Sequence, residues 1–375
     1  MSATIDGGVG ETVPGRDIRG SGARWVLVGI VLLGTGLILH DLGHDSLWVD
    51  EVAQIEVSSG SVGRILKDVM EVRGQPPFYW VALHFFMPFG GSEFAVRMLS
   101  AMFGVVNIVL VYKLGQALFG HREGIVAAFL MALSPLHLSH AQDARMYTAM
   151  VCFSTLSLYW LYRAMRENEP GQWLAYAGSS IVNLWNHAYA AFVFGAEVVF
   201  AGVWLAWELL GKARQSSSRG MRSKRLLAFV LSNAGIAGAW VPMLLTFRRL
   251  STRVGLGSGG HLRNLPKSVT ALVGVVKEFA GGGGPLLTAF VALMVIGVVG
   301  CLKRRKELVL LFLSCVGMPV LGFFALKTDR GFFSVRYVIF YLPLFLVFVS
   351  RGVLATGEVV ACLLCRRRGV VGGSS

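Results

Sequence analysis

Two adjacent carboxylates, Asp50 and Glu51, close the stretch Ser46-Leu47-Trp48-Val49-Asp50-Glu51 in a chain that is 54% hydrophobic. Dehydrating ionisable groups at a membrane surface is costly, so such a pair is read first as functional. A carboxylate within hydrogen-bond reach of a hydroxyl can act as its general base. Adjacent residues diverge in direction on a helix or a strand, so one of the pair is expected to face substrate and the other to orient the loop. Cations gather late in the chain, among them Arg330 and Arg336. Arginine offers paired donors that stay charged, which suits a phosphate. Carboxylates early and arginines late fit displacement at a sugar C1 carrying a lipid-linked phosphate. The base activates the acceptor hydroxyl and the arginines stabilise the phosphate as it leaves.

The elements that must bring these residues together are apolar. With 15% charged residues, 11% aromatic residues and a mean hydropathy of +0.62, the composition is that of an integral membrane protein. Apolar runs predict an all-α polytopic bundle of about ten transmembrane helices, near 24–40, 94–118, 124–139, 146–165, 172–187, 188–210, 226–246, 285–302, 307–326 and 338–356. The apolar run Phe78–Phe89, between Pro76-Pro77 and Gly90-Gly91, is too short to cross and predicts an interfacial or re-entrant helix. The first outer loop, 41–93, is then long and carries the Asp50-Glu51 pair.

Basic clusters set the expected orientation. Arg16, Arg19 and Arg24, then Arg122, Arg163 and Arg166, the run Lys212 to Arg225, Lys303 to Lys306, and Arg366 to Arg368 all fall on one side. The positive-inside rule makes that side cytoplasmic, with both termini inside and the candidate site extracytoplasmic, as in a multi-pass protein of the cell membrane. Residues 1–23 read as a disordered tail, 24–356 as the transmembrane module and 357–375 as a basic cytoplasmic tail. The net charge of +14 is accounted for by orientation and anionic lipid; no soluble basic face suggests nucleic acid. None of the five cysteines falls in an outer loop, which argues against a disulfide framework.

Five motifs occur in order: Leu47-Trp48-Val49-Asp50-Glu51, Pro76-Pro77-Phe78-Tyr79-Trp80, Glu93-Phe94-Ala95-Val96-Arg97, Ser134-Pro135 leading to Gln142-Asp143-Ala144-Arg145-Met146-Tyr147, and Arg336-Tyr337. This order resembles the GT-C superfamily of integral-membrane glycosyltransferases, in the branch of protein O-mannosyltransferases and the lipid A aminoarabinose transferase. The resemblance is good over 24–190 and thin beyond it. It implies a GT-C-like bundle whose first outer loop carries interfacial helices, a polyprenyl-phosphate or polyprenyl-diphosphate sugar donor, and inversion at C1. It also implies Asp50 as general base, with Glu51 beside it, and Asp143 as the second acidic site. Arg145, Tyr147, Arg330, Arg336 and Tyr337 would contact substrate, the Arg-Tyr pair at the donor phosphate, with His187 as a nearby polar contact. The acceptor is a lipid, a glycan or a protein. Measured against this resemblance, no counterpart of the larger members' C-terminal soluble domain is expected.

Bland readings stand beside these. Asp50 and Glu51 could cap an interfacial helix, and Asp143 with Arg145 could be a structural ion pair. Arg336 could anchor in headgroups by snorkelling. His40 and His44 are four residues apart, the spacing of two ligands on one helix face, so a divalent metal is an alternative although none is required. The rival functions are a transporter or flippase of lipid-linked sugars and a non-catalytic member of a glycan-assembly complex. Transporters favour charges at the midplane and repeated halves; here the charges gather at the outer rim and no repeat is visible.

Overall fold

The computed structural model describes residues 19–210, 219–254, 269–325 and 335–371. Among the described residues, fifteen α-helices and a few short 3₁₀ and π turns make up the regular structure. Helices coincide with all the expected apolar segments. They are α1 (Arg19–Leu39), α5 (Glu93–Leu118), α6 and α7 (His121–Ala132 and Pro135–Ala141), α8 (Tyr147–Glu167), α9 (Pro170–Asn186), α10 (Ala190–Leu210), α11 (Arg219–Val254), α13 (Pro285–Cys301), α14 (Lys306–Ala325) and α15 (Leu342–Val371). By length and composition, four helices among the described residues can cross a membrane, or five if the bent α6–α7 pair is one span, fewer than the ten spans expected from the apolar runs. The architecture is therefore that of an all-helical membrane protein.

Three expectations need correction. The segment 124–139 is not one straight span: α6 and α7 meet at 61°. Proline disfavours helical backbone in the residue before it, so the chain breaks at Ser134. Ser134 then caps α7, its Oγ accepting the His137 N–H at 3.4 Å. The boundary expected at 356 lies inside α15, which is continuous from Leu342 to Val371. His40 and His44 do not share a helix face, because α1 ends at Leu39 and the chain turns through Asp41 at a φ of 58°. Each imidazole lies instead against its neighbouring carboxylate, His40–Asp41 at 3.0 Å and His44–Asp45 at 3.4 Å, in solvent.

The first loop is helical, as its apolar content requires. It contains α2 (Val49–Ser58), α3 (Val62–Leu66), a π-helical turn over Lys67–Val72, and α4 (Phe78–Phe86). The apolar helix over Phe78–Phe89 is a dozen residues of the α and 3₁₀ types, about 18 Å long, well short of about 30 Å of hydrocarbon. One face of α4 is buried through Tyr79, Trp80 and Leu83.

Small residues let the long helices touch. A methyl group on Gly115 of α5 would lie 2.9 Å from Gly124 of α6, and one on Gly124 would strike the Tyr112 carbonyl. Side chains on Gly297 and Gly352 would collide with the backbones of α15 and α13 in turn. Without a hydrophobic force between helices in lipid, such close van der Waals approach is what holds them. The site-bearing ends of α5 and α8 are tied by polar bonds: Thr148 Oγ1 donates to the Ser100 carbonyl at 3.0 Å and Asn107 Nδ2 to the Thr148 carbonyl at 3.0 Å.

Candidate active site

The site is built where α2, the α7–α8 turn, the α9–α10 turn and the segment before α15 meet. Glu51, in the first turn of α2, is fully buried. Arg97 of α5 meets it side-on, Nε to Oε1 at 2.9 Å and a terminal nitrogen to Oε2 at 2.8 Å. The Ala144 N–H donates to Oε1 at 2.7 Å and the Trp48 N–H to Oε2 at 3.2 Å. Burial would raise the Glu51 pKa, but the hydrogen bonds from Arg97, Ala144 and Trp48 outweigh it and hold the carboxyl below its ordinary range. The rest of the Arg97 guanidinium donates to the carbonyls of Leu42, Asp45 and Ser46. One ion pair thus fastens α5 to the end of the first connection, the start of α2 and the 143–147 turn.

Asp50, one residue earlier, points the other way and its side chain is 39% exposed. Its Oδ2 lies 3.5 Å from an Arg336 terminal nitrogen and 3.8 Å from one of Arg145. Arg145 also donates to the Asp50 carbonyl at 3.2 Å and to Gln54 Oε1 at 3.3 Å. Gln54 is one helical turn beyond Asp50, fully buried, and its Nε2 has no partner among the described residues. The Nε atoms of Arg145 and Arg336 are likewise buried and unpartnered. Unmet donors of this kind, gathered around one half-exposed carboxylate, are what an anionic ligand would satisfy.

The 143–147 turn is held from below. Tyr79 Oη donates to Ser100 Oγ at 2.6 Å, which donates to the Arg145 carbonyl at 2.8 Å. Gln142 Nε2 reaches the His40 carbonyl at 2.8 Å, and Asn186 Nδ2 the Met146 carbonyl at 3.2 Å. Asp143 and Arg145, weighed above as an ion pair, are not one: Asp143 Oδ2 faces His140 Nδ1 at 3.2 Å, while Arg145 faces Asp50.

Aromatic rings floor the site. Tyr147 is buried, with the Arg145 and Arg336 guanidiniums 5.9 and 6.0 Å from its ring centre. Tyr337 stacks on Tyr189 at 5.0 Å and lies 5.8 Å from His187. The His187 Nδ1 accepts the Tyr189 N–H at 3.1 Å, which leaves Nε2 as its N–H donor. Burial, then the charges of Arg145 and Arg336, push the His187 pKa down to about 3, so the ring is neutral and a poor base. Of the predicted site residues, Asp50, Glu51, Asp143, Arg145, Tyr147, His187, Arg336 and Tyr337 converge here. Arg330 lies outside the described residues.

Four contributors carried no assigned role in the sequence reading. Arg97 stood in one of the five motifs, and His140, Tyr189 and Gln54 were given no place in the site. Gln54 had a usable signal, its position four residues after Asp50 on one helix. Among the described residues no group of three or more His, Cys, Asp or Glu side chains could hold a metal.

Residues 74–231 match the model of the family described as dolichyl-phosphate-mannose-protein mannosyltransferase. Across that segment, under half of its length, the chain is similar to this family. An uncharacterized protein of Aquifex aeolicus, strain VF5, is 31% identical over 173 residues, 44% of this chain and 34% of its own length. Apo ArnT from Cupriavidus metallidurans superposes with a TM-score of 0.64 at 14% identity, covering 92% of this chain and 64% of ArnT. The oligosaccharyltransferase AglB from Archaeoglobus fulgidus, in complex with an inhibitory peptide and a dolichol-phosphate, gives a TM-score of 0.55 at 13% identity, over 94% and 52% of the two chains. The fold is GT-C-like. The chain spans about a third of the Aquifex relative and between about half and two thirds of the solved structures.

Proposed function

We propose that this protein is an inverting glycosyltransferase that moves a sugar from a polyprenyl-phosphate or polyprenyl-diphosphate carrier to a hydroxyl acceptor outside the cytoplasm. The observation that carries this reading is the Asp50 carboxylate, half-exposed, with the Arg145 and Arg336 guanidiniums within 4 Å of one oxygen. Similarity over residues 74–231 to the dolichyl-phosphate-mannose-protein mannosyltransferase family supports the reaction class. A C. metallidurans ArnT structure is bound to undecaprenyl phosphate, which supports a carrier of that chemistry.

In the proposed reaction the donor phosphate takes the unpaired donors of Arg336 and Arg145, drawing both away from Asp50. Asp50 then accepts the proton of the acceptor hydroxyl. The acceptor oxygen attacks C1 opposite the phosphate, the C1–O bond to phosphate breaks, and polyprenyl phosphate or diphosphate departs with its charge held by the arginines. Tyr147, Tyr337 and Tyr189 offer a wall for the sugar, and neutral His187 an Nε2 donor. Glu51 does not take part in proton transfer on this reading, because Arg97 and two backbone N–H groups already occupy it. Asp143, with His140, orients the turn that carries Arg145. No metal is needed for any step.

The orientation belongs to the same proposal. Arg305, in the turn between α13 and α14, donates to Tyr162 Oη at 2.7 Å, so two basic clusters share the end of the bundle opposite Asp50. The positive-inside rule puts that end in the cytoplasm.

The test is direct. Purified protein in detergent, given a panel of lipid-linked sugars and acceptors, should release free polyprenyl phosphate or diphosphate. Movement of the intact lipid across vesicles, with no cleavage for any donor, would overturn the proposal in favour of a flippase.

A further inference from the structure

At the end of the bundle away from Asp50, α5 and α8 border a cavity of about 600 Å³ lined by Lys113, Gln116, Tyr159, Tyr162, Arg163 and Arg166. Helix α8 has its first residue, Tyr147, in the candidate active site and its last, Glu167, at this cavity. Its 21 residues place the two about 30 Å apart, the thickness of a bilayer core.

The cavity is cationic in a particular way. Arg163 is neutralised by Glu167, its terminal nitrogen 2.6 Å from Oε2. Lys113 and Arg166 are exposed, and neither has a carboxylate within ion-pair distance among the described residues. Tyr162 is buried, and its Oη accepts from Arg166 at 3.3 Å and from Arg305 at 2.7 Å. Those two bonds use its lone pairs and leave its own O–H without an acceptor among the described residues. An ammonium, a guanidinium, a phenol O–H and the Gln116 amide therefore all offer donors to one volume. Tyr159 and Trp160 pack edge-to-face at 5.0 Å beside Arg163, as aromatic side chains do at headgroup level.

We propose that this cavity binds the phosphate headgroup of an anionic membrane lipid. Basic residues that only orient a helix are solvated singly; here the donors converge, and the hydroxyl between them lacks an acceptor. A phosphodiester supplies the acceptors they lack, and the aromatic rim fits its glycerol and acyl region. The site is separate from the glycosyl-transfer reading and does not depend on it.

Native mass spectrometry of the full chain in detergent, titrated with dioleoyl phosphatidylglycerol or dioleoyl phosphatidylcholine, tests this. The wild-type protein should retain phosphatidylglycerol preferentially. Lys113→Gln with Arg166→Gln should weaken that binding roughly tenfold or more, and Tyr162→Phe, which keeps the ring but cannot donate, by a smaller factor. Lys303→Gln with Arg304→Gln removes the same charge from the same end and should leave it intact. Equal losses in that control would reduce the effect to general electrostatics and overturn the proposal. Displacement of the lipid by millimolar inorganic phosphate would overturn the lipid headgroup as the ligand. If the double variant melts early, Tyr162→Phe carries the test: wild-type affinity in it refutes the site.

Discussion

Arg97 meets the Glu51 carboxylate side-on, at 2.9 and 2.8 Å, across a separation of 46 residues. Both side chains are buried, at 6% and 0% exposure, so the pair is paid back only through its geometry and its extra hydrogen bonds. Because Glu51 is turned inward to Arg97, Asp50 is turned outward to Arg145 and Arg336. On the proposed reading, the two adjacent carboxylates are therefore divided between structure and chemistry.

Removing one partner of such a pair leaves a buried charge uncompensated. Glu51→Gln should lower stability by about 3 kcal/mol or more, and Arg97→Leu should do the same. Melting of the purified variants checks this. Wild-type stability in Glu51→Gln would return Glu51 to the catalytic candidates.

Asp50→Asn keeps shape and removes the proton acceptor. Transfer should fall roughly 10²–10⁴ fold, with little change in melting temperature. Single-turnover rates measured beside melting curves separate this variant from Glu51→Gln. A mild rate loss in Asp50→Asn would defeat its assignment as base.

Arg336→Lys retains charge but loses the planar fork, so partial activity is expected, and Arg336→Ala should be nearly inactive. Arg145→Ala should also cost activity. Asp143 keeps its His140 partner in that variant, so the fold should survive; a collapse on melting would contradict the geometry. Gln54→Leu removes the unpartnered amide and should raise KM for the donor or acceptor without changing stability greatly.

Acid should loosen the protein through Glu51. Its folded pKa lies below the ordinary value near 4.5, so the stabilisation it supplies is complete above that value and is lost as pH falls through the folded one. Melting temperature followed from pH 7 downward should decline, and the decline should be shallower in Glu51→Gln. His187 should add to that decline: its folded pKa of about 3 lies below the ordinary 6.5, so the unfolded state takes up a proton first and stability falls as pH drops from about 6.5 towards 3.

Residues 41–93 are expected on the extracytoplasmic face. A cysteine placed at Ser92 should be labelled from outside; labelling from the cytoplasm alone would invert the topology.

Composition and periodicity determined a good deal by themselves. Apolar runs forced helices at all the expected segments, because backbone groups in hydrocarbon must bond within their own segment. The shortness of 78–89 and the motif order were legible for the same local reason. Tertiary structure alone decided the rest. Nothing in Asp50-Glu51 states which carboxylate turns inward; a residue in the next long helix, Arg97, settles it. Nothing in Gln142 to Tyr147 states that Arg145 leaves Asp143 for Asp50. The Ser134-Pro135 break bends α7 by 61° and swings that turn over α2, and hydrogen bonds from Tyr79, Ser100 and Asn186 hold it there. Spacing along one chain reports which side chains share a helix face. The meeting of carboxylate and arginine 286 residues apart, Asp50 with Arg336, depends on helices packing at their glycines, and only the folded bundle contains that distance.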